Sequence, residues 1–185
     1  SDYYAKCFMA SDQLRNCYSN EDQRWNGYLC PYGEAGDEKK SSKFARELKF
    51  GACLRLSEAY LNRAEAYANL AKIGGNEYFG KALSDLNTIR EKRIKNYASQ
   101  AWTNSTFNNN ADNLIENCRE ERRREFCFEG MRWFDLRRYG MQSFSHRLDE
   151  STNPGDEHSV EIGTATPKWM LPIMQHHKES NPALN

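Results

Sequence analysis

Apolar residues recur at helical spacing in two consecutive stretches, at residues 53–72 and at about 78–94. The stripe of the first stretch consists of Leu56, Tyr60, Ala64, Tyr67 and Ala71. The stripe of the second consists of Ala82, Leu86, Ile89 and Arg93. Gly74-Gly75 lies between the two stretches, where glycine commonly ends a helix. The pattern therefore predicts an αα-hairpin.

A second helix pair is predicted downstream. The third helix runs from about Ala111 to Phe128 and ends before Gly130, and a short fourth helix continues to Gly140. The hairpin also has the small, aromatic and bulky apolar positions of a tetratricopeptide unit. Because one such unit cannot bury both of its faces alone, the second helix pair is a candidate neighbour for it.

The rest of the chain has no sustained period. Residues 1–52 are rich in loops, with one short helix expected near Asp12–Tyr18, and residues 95–111 form an Asn-rich loop. The C-terminal segment is expected to be irregular, with a short strand at Lys168–Ile173. The predicted fold class is mainly α, with long irregular loops. We expect a single domain whose three segments are 1–52, 53–140 and 141–185.

Composition excludes two classes of protein. The chain has 185 residues, and its 26 Lys and Arg balance its 26 Asp and Glu. This neutrality argues against a nucleic-acid partner held by a global positive field. No stretch approaches the roughly 20 apolar residues that a membrane-spanning helix needs. An aromatic content of 12% supplies the bulk for a packed core in spite of the low mean hydropathy of −0.93.

The cysteines show neither a metal-site nor a redox spacing. The six are Cys7, Cys17, Cys30, Cys53, Cys118 and Cys127. None of them forms a C-x-x-C pair. Cys118 and Cys127 lie on the predicted third helix at a spacing that prevents a disulfide, so they are interpreted as buried small apolar residues. Whether the other four pair with one another stays open.

The most unusual segment is rich in charge. Residues 120–130 read EERRREFCFEG, and the arginines could contact phosphates in a nucleic-acid-binding protein. Glu–Arg pairing along the helix is the favoured interpretation, because the charges nearly cancel and the spacings suit it. The expected pairs are Glu120–Arg123, Glu121–Arg124 and Arg122–Glu125.

No catalytic or metal-binding arrangement stands out. Spacing selects no carboxylate pair for glycosidase chemistry, and there is no phosphate-binding glycine loop or nucleophile motif. His176-His177, followed by Glu179, is interpreted as a solvated tail, because adjacent histidine side chains diverge. The sequence therefore predicts no catalytic residue, no metal and no cofactor.

The N-terminal loops combine aromatic rings with amide and guanidinium donors. The candidate ligand-binding residues are Arg24, Trp25, Asn26, Tyr28 and Tyr32. Sugar rings have apolar C–H faces and hydroxyl rims, so stacking and hydrogen bonding together suit them. An aromatic plug that packs on the helices is an equally good interpretation.

Residues 55–66 read RLSEAYLNRAEA, and residues 82–90 read ALSDLNTIR. These two motifs resemble the helical hairpin of the SusD/RagB family of nutrient-binding proteins. Residues 121–138 (ERRREFCFEGMRWFDLRR) are close to its most specific signature, and 169–173 (WMLPI) resembles its closing segment. The resemblance covers residues 53–185 well and the preceding ones weakly. It supports a SusD-like fold.

The resemblance implies a non-catalytic surface lipoprotein of the outer membrane of Bacteroidetes. Such a protein captures oligosaccharides, polysaccharides or other nutrients and delivers them to a SusC-like TonB-dependent transporter. The lipid-bearing N-terminus and the N-terminal half of the family pattern are absent, so the chain is expected to be a C-terminal part. Ligand contacts in this family come largely from irregular loops, which favours Trp25, Asn26, Tyr28 and Tyr32.

Two competing functions stay open. A tetratricopeptide-type adaptor would bind a peptide in a helical groove and would have no affinity for polysaccharide. A hydrolase would cleave a glycan with a carboxylate pair.

Overall fold

The computed structural model describes residues 10–32, 38–41, 55–149, 157–170 and 174–181. The chain divides into two compact units, Ser1–Met131 and Arg132–Asn185. The elements of the first unit are α1 (Asp12–Arg15), α2 (Arg24–Tyr28), β1 (Leu29–Tyr32), β2 (Glu38–Ser41), α3 (Leu56–Lys72), α4 (Glu77–Arg90) and α5 (Ala111–Glu125). Helix α6 (Met131–Arg138) begins at the boundary and is followed by β3 (Phe144–Asp149), β4 (Glu157–Ile162) and α7 (Gln175–Ser180). The mainly α class is confirmed, and the three-segment single-domain organisation stays a prediction.

The predicted hairpin is confirmed as α3 and α4. Gly74 has a φ of +111°, a conformation that L side chains rarely adopt, and the Gly75 amide donates to the Leu70 carbonyl at 3.0 Å. The buried side chains of the two helices include Leu61, Ala64, Ala68, Phe79, Ala82, Leu83 and Leu86. Because three of these are alanines with no exposed surface, the helices can pack closely.

The predicted third helix is confirmed as α5, which packs along α3. The Asn110 side chain caps its first turn by accepting from the amides of Asp112 (2.8 Å) and Asn113 (3.1 Å). Leu114, Ile115 and Cys118 extend the core of the hairpin. The helix ends at Glu125, earlier than the predicted Phe128, which has a left-handed φ of +61°.

The N-terminal segment is more regular than its sequence suggests. The predicted short helix is α1, capped by the Ser11 hydroxyl, which accepts from the Leu14 amide at 3.3 Å. Residues 25–28, expected in an irregular loop, instead form most of α2. Leu29–Tyr32 and Glu38–Ser41 then pair as antiparallel strands, with Leu29 opposite Ser41.

Backbone pairing with a distant segment explains this regularity. The Gln23 amide donates to the Arg93 carbonyl at 2.8 Å, and the Lys95 amide donates to the Glu21 carbonyl at 3.0 Å. Asp22 and Ile94 form an antiparallel bridge between these two bonds. Since α2 has no side-chain cap and contains a glycine, its local signal is weak. Long-range pairing therefore fixes the entry to this helix.

The strands of the C-terminal unit lie elsewhere than predicted. The strand predicted at Lys168–Ile173 is wrong over its described part, because Pro167–Trp169 is a 3-10 turn. Proline has no N–H for a strand ladder and suits the first position of a helical turn. The observed strands are β3 and β4, which pair antiparallel with Phe144 opposite Ile162. Residues 171–173 lie outside the described part of the chain.

Aromatic side chains form the interior of this unit. Trp169 is completely buried, and its indole N–H donates to the Gly163 carbonyl at 2.8 Å. Its ring centroid lies 5.0 Å from that of Trp133 and 5.4 Å from that of Phe144. These ring contacts pack Trp133, Phe144 and Trp169 together within this unit.

Cys17, Cys118 and Cys127 are not joined in disulfide bonds. Cys118 and Cys127 are buried, as predicted, and burial raises the pKa of the Cys118 thiol. Cys17 is half-buried, and burial together with a hydrogen bond to Glu120 raises its pKa to about 11. The thiols of Cys17 and Cys118 are therefore protonated at neutral pH. Cys7, Cys53 and the side chain of Cys30 lie outside the described part of the chain.

Two glutamates of α5 are buried together with their charges. Glu121 and Glu125 are each 0% exposed. Charged side chains from several segments of the first unit surround them: Asp22, Arg24, Arg55, Arg90, Arg93 and Arg124. We call these eight residues the buried ion cluster.

Glu121 binds arginines from three segments. Its Oε1 lies 2.7 Å from Nη1 of Arg24, and its Oε2 lies 2.7 Å from Nη2 of Arg124 and 3.4 Å from Nη1 of Arg90. Burial alone would raise the pKa of Glu121, but the three guanidinium groups lower it to about 2. The carboxylate is therefore ionised at neutral pH despite its burial.

Glu125 extends the cluster toward the start of α3. Arg93 binds it with two hydrogen bonds, of 3.1 Å from Nε and 2.9 Å from Nη2. Arg24 lies 3.2 Å away, and Arg55, the residue before α3, also binds Glu125. Burial opposes ionisation here as well, but Arg93, Arg24 and Arg55 lower the pKa of Glu125.

The sequence predicted ion pairing but not its location. The pair Glu121–Arg124 (2.7 Å) is confirmed, and Glu120 and Arg123 approach to 3.9 Å. The sequence predicts pairing between residues of one helix. The pairing also extends into the interior of the unit, because Glu121 contacts arginines from distant segments. The charged segment is therefore part of the core of the first unit.

Replacing Glu121→Gln should lower the free energy of unfolding by about 3–5 kcal/mol, because three arginines lose a buried counter-charge. The matched control is Glu120→Gln, whose more exposed carboxylate lies 3.9 Å from Arg123 and which should change stability by less than about 1 kcal/mol. Urea unfolding monitored by circular dichroism measures both variants. Equal stability of the two would contradict a structural role for the buried charge.

Acid should destabilise the protein by protonating the Glu121 carboxylate. An ordinary pKa near 4.5 is lowered to about 2 in the fold, so the stabilisation is present above about pH 5 and is lost as the pH falls toward 2. The loss attributable to Glu121 is on the order of 3 kcal/mol. Urea midpoints measured between pH 2 and 7 should show a shallower acid slope for Glu121→Gln than for the wild type. Parallel slopes would refute the assignment.

Candidate ligand-binding site

Helix α2 carries four of the five predicted ligand-binding residues. Its single turn separates neighbouring side chains by about 100°, so residues at i and i+4 share a face. Arg24 and Tyr28 accordingly face the interior. Trp25 is half-buried and Asn26 is exposed. The fifth residue, Tyr32, ends β1, and its side chain lies outside the described part of the chain.

Arg24 is buried rather than open to a ligand. It is 1% exposed, and it binds Asp22 through Nε at 2.9 Å and Nη2 at 2.7 Å. Its remaining guanidinium nitrogen contacts Glu121 (2.7 Å) and Glu125 (3.2 Å). All three nitrogens are therefore engaged inside the protein, and a surface ligand cannot reach them. The residue holds α2 against α5.

Tyr28 fixes the other end of the same face. Its hydroxyl lies 3.3 Å and 3.4 Å from the two carboxylate oxygens of Glu125, to which it donates. Burial and the charge of Glu125 raise the pKa of Tyr28. The hydroxyl is therefore protonated at neutral pH, while the ring stays half-buried.

Trp25 packs on the protein with part of its ring. Its centroid lies 5.7 Å from that of Tyr18 at an interplanar angle of 47°, and the guanidinium carbon of Arg15 lies 4.9 Å from the ring. Trp25 and Tyr28 both pack against a small cluster of Leu14, Tyr18 and Cys127. The interpretation as an aromatic plug therefore accounts for the buried part of both rings.

The outer side of α2 combines aromatic and amide groups. Asn26 and Gly27 are exposed beside Trp25, and nothing lies within 4 Å of the position that a Cβ on Gly27 would occupy. The exposed Asn26 amide offers both a hydrogen-bond donor and an acceptor to solvent. Arg15 was not identified from the sequence, because its contact with Trp25 depends on how α1 and α2 pack.

The described residues contain no group of His, Cys, Asp or Glu that could hold a metal ion. In the same part of the chain, no helix has the length and apolar character required to cross a bilayer.

Comparison with known proteins identifies the family. A sequence search of curated proteins finds no match to this chain. The model of the SusD family matches residues 4–185, which is nearly the full length. This family comprises nutrient- and glycan-binding proteins of the cell surface that are generally not catalytic. The chain belongs to the SusD family.

Proposed function

We propose that this chain captures glycans at the cell surface and passes them to a SusC-like TonB-dependent transporter of the outer membrane. The observation that carries the proposal is the outer side of α2, where a half-buried tryptophan stands beside an exposed amide. The competing interpretation is that Trp25 is only an aromatic plug, which its packing on Tyr18 and Arg15 supports.

Capture is reversible and uses two kinds of contact. The exposed part of Trp25 stacks on the C–H face of a sugar ring, and Asn26 hydrogen-bonds hydroxyl groups at its rim. Arg24 and Tyr28 position this pair from below through Glu121 and Glu125. A surface that is already ordered loses little entropy when the ligand binds. Tyr32 remains a proposed contact on the adjoining strand.

The remaining parts of the proposal are inferred from membership of the SusD family. The protein is a lipoprotein at the outer surface of the outer membrane, where an N-terminal lipid attaches it. It has no catalytic residue and no cofactor, and it releases the glycan unchanged to the transporter. A tetratricopeptide-type peptide adaptor is the alternative function, supported by the α3–α4 hairpin.

Trp25→Ala should abolish retardation of the protein in native gels that contain the polysaccharide it binds. The test panel consists of soluble starch, xylan, levan, mannan and pectin, each cast in a separate gel. Loss of stacking is expected to weaken binding at least about tenfold, which corresponds to about 1.4 kcal/mol. The control is Phe134→Ala, which removes an aromatic ring that is 60% exposed on α6 and should leave retardation unchanged.

Three outcomes of this experiment contradict parts of the proposal. Retardation of Trp25→Ala equal to the wild type would refute the site. Release of reducing ends from the retarding polysaccharide would indicate a hydrolase. Absence of retardation in every gel, together with binding to immobilised peptides, would favour the adaptor.

Asn26→Ala should weaken binding to the same polysaccharide about fivefold, because one hydrogen bond contributes about 1 kcal/mol. Its midpoint of thermal unfolding should stay within about 2 °C of the wild type, since the side chain is exposed. Asn113→Ala, an equally exposed asparagine on α5, is the matched control and should not change affinity. Equal affinities of the two variants would exclude the Asn26 amide from the binding surface.

A further inference from the structure

The segment between α4 and α5 has an unusual surface. Residues 96–110 contain no charged side chain, although 28% of the residues of the chain are charged. Most of its exposed side chains end in a hydroxyl or an amide: Ser99, Thr103, Asn104, Ser105, Thr106, Asn108, Asn109 and Asn110. Half-buried Trp102 lies in the middle of these groups.

The segment is ordered by specific hydrogen bonds. The Asn87 side chain donates to the Trp102 carbonyl at 2.8 Å and accepts from the Trp102 amide at 3.0 Å. The Thr103 amide donates to the Thr106 hydroxyl at 3.0 Å. The segment is therefore held in one conformation before any ligand arrives, which lowers the entropy that binding costs.

The indole of Trp102 is held by a buried cation. The guanidinium carbon of Arg90 lies 3.6 Å from the ring centroid, and the ring of Phe107 meets it edge-on at 5.3 Å. Arg90 is 7% exposed, and burial lowers its pKa. Packing of this kind fixes the orientation of the indole while part of the ring stays in solvent.

The Glu121 carboxylate contacts two arginines, of which one stacks on Trp102 and the other lies on α2. Oε2 of Glu121 lies 3.4 Å from Nη1 of Arg90, and Oε1 lies 2.7 Å from Nη1 of Arg24. Arg24 immediately precedes Trp25, and Arg90 stacks on Trp102. One buried acid thus fixes the cations beside two separate half-buried tryptophans.

We propose that Trp102 and the hydroxyl and amide groups around it form a second glycan-contacting surface, which takes an uncharged oligosaccharide. The indole stacks on a sugar ring, and Asn104 and Asn108 bind its hydroxyl groups. Uronic acids or sulfates find no ionic partner within residues 96–110. This inference rests on the proposed function and adds a surface separate from α2.

Contact with each tryptophan can be observed separately by nuclear magnetic resonance. The uniformly nitrogen-15 and carbon-13 labelled chain has four indole N–H signals, assigned with the Trp25→Phe, Trp102→Phe, Trp133→Phe and Trp169→Phe variants. The probes are unlabelled hexasaccharides of glucose (α-1,4 and β-1,4 linked), xylose and mannose, with oligogalacturonate as the charged comparison. Nuclear Overhauser effects from sugar protons to indole protons report direct contact.

The expected result is sugar contacts to both Trp25 and Trp102 with at least one neutral probe, and none to Trp133 and Trp169. Asn104→Ala should weaken binding of that probe about fivefold, with Asn117→Ala on α5 as the control. Because the Asn104 side chain is exposed, this variant tests the surface even if Trp102→Phe fails to fold. Affinity should not change when salt is raised from about 0.05 to about 0.5 M.

Other outcomes separate this inference from the proposed function. Contacts to Trp25 alone, with Asn104→Ala unchanged, would overturn the second surface and leave the proposed function standing. Contacts to Trp102 alone would support the second surface and refute the assignment of α2. Preference of Trp102 for oligogalacturonate would overturn the neutral ligand class. Absence of contact and affinity with every probe would contradict both.

Discussion

Ionised Glu121 and Glu125 inside the first unit set the strongest constraint on its structure. A buried carboxylate without partners costs several kcal/mol, so each requires guanidinium groups at hydrogen-bonding distance. These groups come from the N-terminal segment, the start of α3 and the end of α4, as well as from α5 itself. Satisfying the two charges therefore brings together segments that lie up to about a hundred residues apart.

This requirement connects the fold to the candidate site. Arg24 points inward to neutralise Glu121, so the next side chains of α2, Trp25 and Asn26, turn away from that contact. Tyr28 returns to the inner face and donates to Glu125. The order of this proposed binding surface is thus a consequence of the ion pairing beneath it and does not depend on a ligand. The Glu121 carboxylate also contacts Arg90, whose guanidinium stacks on Trp102. Ion pairing in the interior therefore also supports the loop between α4 and α5.

The helices could be predicted from the sequence because the spacing of their apolar residues and the glycines that end them are local signals. Ala64 and Leu86 of the predicted stripes are buried, and Gly74 ends α3, whereas Leu56 of the first stripe is exposed. The short α2 escaped prediction because long-range backbone pairing fixes its start. The strands of the second unit escaped it because they are stabilised by pairing with each other. Arg24 was expected at a ligand, yet it is buried, since spacing alone does not show which carboxylate reaches a guanidinium. Trp25 and Asn26 remain proposed contacts.

The pairing of Glu21 and Gln23 with Arg93 and Lys95 has a consequence for folding order. These bonds join residues about seventy positions apart, so forming them closes a long chain loop at a large cost in entropy. We therefore expect them to form after α4 has folded. The α3–α4 hairpin needs only local contacts and can form first. By the same reasoning the N-terminal segment docks afterwards, and its docking brings Arg24 to Glu121 and Glu125. An exposed Trp25 would then mark a chain whose helical core is intact but whose maturation is incomplete.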